Sequence, residues 1–185
     1  MNRRQVEHVI RAAAAISDEV EFIVVGSQAA LEQHRRLPSA MVRSPELDLY
    51  PARSPELADV IDGSIGEGSP FHRTFGYYGQ GVGPETAKLP AGWRDRAFRL
   101  SNDSTNGAVA IAPELHDLCA AKLIAGREKD FEYVAAALAG RLIDRATLAA
   151  RVAAVPEVDD RIRAKATRWL ADPAAPAPSD GADHA

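Results

Sequence analysis

Glu21-Phe22-Ile23-Val24-Val25-Gly26-Ser27 is the stretch on which the reading of the fold turns. A short run rich in β-branched residues, stopped by glycine, predicts a buried strand. Beyond it, residues 27–36 set Ala29, Ala30 and Leu31 inward and Glu32, Gln33, Arg35 and Arg36 outward, so a helix is expected there, ended by Pro38. Glycine at such a junction lets the backbone turn tightly and lets a phosphate come close to the main chain. Ser27 adds a hydroxyl at a helix N-terminus, where free N–H groups and the helix dipole favour anions. The same residues also suit an ordinary strand-to-helix turn, with Gly26 supplying a positive φ and Ser27 a cap.

Downstream lies Arg43-Ser44-Pro45-Glu46-Leu47-Asp48-Leu49-Tyr50. Strict alternation predicts a second strand, with Leu47 and Leu49 on one face and Asp48 and Tyr50 on the other. Glu46 is two residues from Asp48, so both carboxylates project from the same face of an extended chain. Two like charges held so close resist ionisation unless a cation lies between them. Magnesium is the natural partner, being hard, oxygen-seeking and commonly shared with substrate phosphates. An edge strand with its acidic face in water fits the alternation as well.

Working outward, residues 6–15 carry Val6, Val9, Ile10, Ala13 and Ala14 at helical spacing. Ser54-Pro55-Glu56 opens another helix, with Ser54 as its expected N-cap and Leu57, Val60 and Ile61 as its expected buried stripe. Residues 63–106 are rich in glycine, aromatic side chains and turn formers; strands are expected at 71–78 and 97–100, with a flexible loop at 79–83. A further strand is expected at 107–112. Helices follow at about 113–125 and 127–138, with Gly126 as a break, then at 144–155, capped by Asp144, and at 156–170. The tail, 172–185, is rich in Pro, Ala, Asp and Gly and is expected to be disordered. The order implies an α/β or α+β sheet domain over 1–112 and a helical part over 113–171.

The chain has 185 residues, a formal net charge of −4 and one cysteine, Cys119. That length can bury a real core, and the charge argues against binding double-stranded DNA through overall attraction. A lone cysteine points to a reducing compartment. Residues 1–5 lack the apolar core of a signal peptide, and no apolar run approaches the ~20 residues of a membrane span. A cytoplasmic protein is therefore expected. His8, His34, His72, His116 and His184 show no zinc-ligand spacing. Cys119 sits in an apolar stripe and reads as core. Trp93 with Arg94, Arg96 and Arg99 suits either a loop packed on the sheet or a grip on RNA.

A third patch is Lys122-Leu123-Ile124-Ala125-Gly126-Arg127-Glu128-Lys129-Asp130. Lysine within an apolar helix face is unusual unless its ammonium reaches solvent or an anion. On an unbroken helix Asp130 lies within about 80° of Lys122, an arrangement that Gly126 can redirect. A surface helix laced with Glu–Lys pairs is the plainer alternative.

Taken together, strand–Gly–Ser–helix followed by a strand bearing acid-x-acid resembles the catalytic core of the nucleotidyltransferase superfamily related to polymerase beta. The Lys122 to Asp130 segment resembles the later motifs of AbiEii-like and MenT-type nucleotidyltransferase toxins of bacterial toxin–antitoxin systems. The resemblance covers roughly residues 21–134, in three separated patches. It implies a minimal mixed sheet flanked by helices and a magnesium-dependent transfer of a nucleoside monophosphate from an NTP. The implied acceptor is the 3′ end of tRNA, and an antitoxin protein is the implied partner. It further implies that Gly26 and Ser27 hold the triphosphate, that Glu46 and Asp48 bind metal, that Lys122 contacts the nucleotide phosphates, and that Asp130 completes the site; Arg43 is expected to join Lys122 in neutralising phosphate charge. Two departures bear on it. The first metal position is a glutamate, and residues 107–111 carry no acid, so a third strand carboxylate is missing unless Asp95, Asp103 or Asp130 replaces it. A decayed nucleotide-binding scaffold and an AMP-transferring, protein-modifying enzyme are the rival readings.

Overall fold

The computed structural model describes residues 1–34 and 37–172. The tail expected to be disordered falls, from 173 on, outside the described residues, as do Arg35 and Arg36. The chain divides into two compact units, Met1–Ala87 with Gly92–Glu114, and Lys88–Ala91 with the chain from Leu115 onward.

In the first unit, α1 (Arg3–Ser17) starts at Asn2, whose side chain accepts from the Gln5 N–H while the Gln5 side chain accepts from the Asn2 N–H. This reciprocal cap satisfies two N–H groups that a helix start otherwise leaves open. Its buried stripe is Val6, Val9, Ile10 and Ala13, at the spacing the sequence predicts. Strands β1 (Glu21–Val25), β2 (Glu46–Pro51), β3 (Tyr78–Gly81), β4 (Phe98–Leu100) and β5 (Val109–Ala112) form one sheet in the order β3-β2-β1-β5-β4. β2 runs antiparallel to β1 and parallel to β3; β5 is parallel to β1 and antiparallel to β4. The fold is α/β with a mixed sheet. β2 lies between two neighbours, which removes the edge-strand alternative for its acidic face.

Several local expectations are corrected. The helix expected over 27–36 is a 3-10 helix, Ser27–Glu32, begun at Gly26. At 54–57 a 3-10 turn (Pro55–Leu57) precedes α2 (Ala58–Ile65). Ser54 makes no cap there; its hydroxyl donates to Glu19. Val60 is 46% exposed, and the buried stripe of α2 is Ala58, Ile61 and Ile65. Residues 71–78, expected as a strand, begin as α3 (Pro70–Phe75): Ser69 caps the His72 N–H, Pro70 occupies the first turn, and Gly76 ends the helix in a left-handed conformation. These start and stop signals override the aromatic composition that favours a strand.

The loop expected at 79–83 is instead mostly strand β3. Its alternation puts Tyr78 and Gln80 on one face, and Gly79 and Gly81 on the other. A Cβ on Gly79 would lie 2.8 Å from Val9 of α1 and 2.9 Å from Ile65 of α2, and one on Gly81 would lie 1.9 Å from the Ala58 carbonyl oxygen. Glycine is thus what lets the helices press onto this strand. Gly81→Ala is expected to destabilise the unit by about 1–3 kcal/mol through overpacking against backbone, read as a lower urea midpoint. Leu47 and Leu49, paired with Gly79 and Gly81, are fully buried on the same face. On the opposite face Ile23, Val25, Tyr50 and Ile111 form an apolar cluster, against which Trp93 of the short helix α4 (Trp93–Arg96) packs.

The second unit holds α5 (Leu115–Ala125), α6 (Glu128–Ala139), α7 (Arg145–Ala153) and α8 (Asp160–Ala171). α5 is buried on nearly every side, including Cys119. Gly126, with φ +71°, separates α5 from α6, and the Asp144 side chain caps α7 through the Thr147 N–H. No described helix is long and apolar enough to cross a membrane.

Candidate active site

The antiparallel register pairs Val25 with Asp48, so Gly26 leaves β1 beside the acidic end of β2. Gly26 has φ +71° and ψ −170°, a region only glycine occupies readily. A Cβ built on it would lie 1.8 Å from Asp48 Oδ2. The Asp48 carboxylate therefore rests against the Gly26 Cα, in the space a side chain would fill. Gly26→Ala is expected to cost about 1–3 kcal/mol from the backbone alone, and to drive the Asp48 carboxylate from its place. A fall in melting temperature checks this.

Glu46 and Asp48 share the face of β2 opposite the fully buried Leu47 and Leu49, and both are partly exposed. Along a strand this spacing sets their α-carbons roughly 6.5–7 Å apart. In the β2–β3 register Glu46 faces Tyr78 and Asp48 faces Gln80. The Tyr78 hydroxyl donates to Glu46 Oε2 at 3.0 Å, and the Gln80 side-chain amide donates to Asp62 of α2. Burial, then the bond to Glu46 and its negative charge, push the Tyr78 phenol far above its ordinary range, so it stands as a donor at every ordinary pH.

Two carboxylates on one strand face, both partly exposed, are a donor set that fits magnesium, which keeps several waters and shares its shell with substrate phosphates. Among the described residues no group of three or more His, Cys, Asp or Glu side chains is placed to hold a metal. Neither Asp95 nor Asp103 completes such a group.

Ser27 begins a 3-10 helix of six residues. So short a helix carries little macrodipole, which leaves the Gly26 turn and the serine itself to meet an anion. The Gln28 side-chain amide donates to the Ser44 carbonyl at 3.0 Å, tying this turn to the segment that leads into β2. Arg43 is exposed in that segment.

Lys122 and Asp130 form a constellation within the helical unit. Lys122 Nζ lies 3.1 Å from Asp130 Oδ1, and Arg127 Nε lies 2.7 Å from Asp130 Oδ2. Both Lys122 and Asp130 are buried, while the Arg127 side chain is largely exposed. The Lys122 ammonium also stands 4.5 Å from the Tyr133 ring centroid, a favourable cation–π position. The break at Gly126 brings the two together across eight residues, so neither belongs to a solvated ladder of Glu–Lys pairs.

Tyr78 and Gln80, the register partners of Glu46 and Asp48, lie outside the site residues expected from the sequence, where His72 stands out only for lacking zinc-ligand spacing. The His72 ring lies 4.6 Å from that of Tyr78. The available signal was the alternation Tyr78-Gly79-Gln80-Gly81, which reads as a strand with one face pressed on other backbone.

Neither a curated protein nor a solved structure matches the chain. Residues 4–170 match the family described as "Nucleotidyltransferase of unknown function (DUF6036)", and the chain belongs to that family.

Proposed function

We propose that the protein transfers a nucleoside monophosphate from an NTP to an acceptor hydroxyl. In that reaction a bond forms between the acceptor oxygen and the α-phosphorus, the bond to the β-phosphate bridging oxygen breaks, pyrophosphate leaves, and the acceptor proton passes to solvent. The observation that carries this reading is the Asp48 carboxylate seated against Gly26, with Glu46 beside it on one face of β2.

In this reading Glu46 and Asp48 hold magnesium, which when bound supplies Lewis acidity at the phosphates and neutralises the leaving pyrophosphate. Gly26 and Ser27, at the turn that meets the Asp48 end of β2, take the triphosphate-holding role that the resemblance gives them. Arg43, exposed in the segment that leads into β2, supplies a guanidinium for phosphate charge. Lys122, oriented by Asp130, takes the phosphate-contact role that the resemblance gives it.

The acceptor proposed is the 3′ end of tRNA, with the protein acting as a toxin held by an antitoxin. That part rests on the resemblance of residues 122–130 alone. A decayed binding scaffold is favoured by one observation: among the described residues no third acid joins the pair in a group that could hold a metal.

One experiment separates these readings. The protein is incubated with magnesium, each α-labelled NTP in turn, and total tRNA. Label on tRNA is expected, label on protein points to AMP transfer to a side chain, and NTP binding without transfer points to the scaffold. Chelation with EDTA is expected to abolish labelling; labelling that survives EDTA removes the metal from the proposal.

A further inference from the structure

The two carboxylates are held in different ways. Asp48 has a short side chain, and its carboxylate fills the space above Gly26. Glu46 has one more methylene and one more rotatable bond, and so more rotamer freedom to lose when it is fixed. Among the described residues no glycine cradles it in this way. What touches it instead is Tyr78, its register partner on β3, whose hydroxyl reaches Glu46 Oε2 at 3.0 Å.

Tyr78 is itself restrained. It is 5% exposed, and the His72 ring stands over it at 4.6 Å with an interplanar angle of 47°. His72 is fixed in turn, because its Nδ1 accepts from the Gly68 N–H at 3.0 Å while its own N–H is capped by Ser69. Accepting at Nδ1 leaves the ring proton on Nε2 in the neutral form. The chain of contacts runs from the start of α3, through two rings, to one oxygen of one carboxylate.

We propose that Tyr78 is a positioning residue for Glu46, and that His72 clamps the Tyr78 ring in the orientation this requires. With one lone pair of Oε2 taken by the phenol, Oε1 is the less encumbered oxygen that Glu46 presents to a divalent cation. The inference rests on the reading of Glu46 as a metal ligand and goes beyond it by assigning α3 and β3 a role in metal affinity.

The test is titration with Mn2+ alone, following free Mn2+ by electron paramagnetic resonance, with thermal melting of the metal-free proteins alongside. Hydrogen-bond partners of metal ligands are worth roughly 10–100-fold in metal affinity. Tyr78→Phe, which keeps the ring and its packing, is expected to weaken Mn2+ binding about 10-fold. Combined with Glu46→Gln it is expected to weaken binding no further than Glu46→Gln alone. A purely structural Tyr78 would lower the melting temperature and leave Mn2+ affinity unchanged, and that result overturns the inference. His72→Ala, which leaves the phenol in place and frees the ring, is expected to weaken binding several-fold. Should Tyr78→Phe fail to fold, unchanged Mn2+ affinity in His72→Ala overturns the inference by itself. The two levels separate cleanly. Wild-type protein that binds no Mn2+, or Glu46→Gln that binds as wild type, sinks the ligand reading and this inference with it. Loss in Glu46→Gln with full affinity in Tyr78→Phe sinks only this one.

Discussion

Asp48→Asn is expected to lower nucleotidyl transfer by about 10²–10³-fold, the scale on which losing one preorganised electrostatic group costs a transition state, while the protein stays folded. Asparagine matches aspartate in shape, so it keeps the alternation that buries Leu47 and Leu49 and still fits above Gly26. What it removes is half the negative charge of the pair. In the metal-free protein that change relieves repulsion between two carboxylates on one face, and a cooperative melt is expected. In the loaded protein the amide oxygen is a neutral and weaker ligand for a hard cation. Labelled-NTP transfer and a thermal melt on the same preparation give both readings. Full transfer by Asp48→Asn, with the fold intact, removes this carboxylate from the chemistry.

The part of this arrangement that was legible in the sequence was the part encoded locally. Residues 21–25 and 46–51 announce themselves as strands through β-branched composition and strict alternation, and the alternation alone puts Glu46 and Asp48 on one face. Asp144 and Gly126 carry their own stop and start chemistry, so the helices of the second unit were readable to within a few residues. The failures have physical causes. Over six residues a 3-10 helix and an α-helix both bring positions i and i+3 to one side, so Ser27–Glu32 has no periodicity that tells them apart. Val60 fits an apolar stripe beginning at Leu57, but the helix begins at Ala58, and the burial phase turns with it. β3 was missed because glycine at positions 79 and 81 weakens any strand signal. Those glycines answer to Val9, Ile65 and Ala58, which no local window around residue 79 contains. Tyr78 was passed over for the same reason, since its partner Glu46 lies 32 positions earlier in the chain.

Asp130→Ala is expected to destabilise the protein by about 3–5 kcal/mol, the usual cost of removing one partner from a buried ion pair. Asp130 is 1% exposed and Lys122 7% exposed, so the ammonium would keep its burial and lose that carboxylate. The Tyr133 ring face offsets part of this, and Arg127, already largely exposed, simply turns to water. Lys122→Met added to Asp130→Ala removes the stranded cation and substitutes an adaptable apolar side chain of similar length. Replacing a whole buried pair in this way is often close to neutral, so the double variant is expected to recover most of the lost stability in denaturant melts. That recovery frees the functional question from the structural one. A double variant that is stable and transfers no label assigns the pair to phosphate handling. A double variant that is stable and transfers label at the wild-type rate makes Lys122 and Asp130 an internal strut of the helical unit, and takes both out of the proposed chemistry.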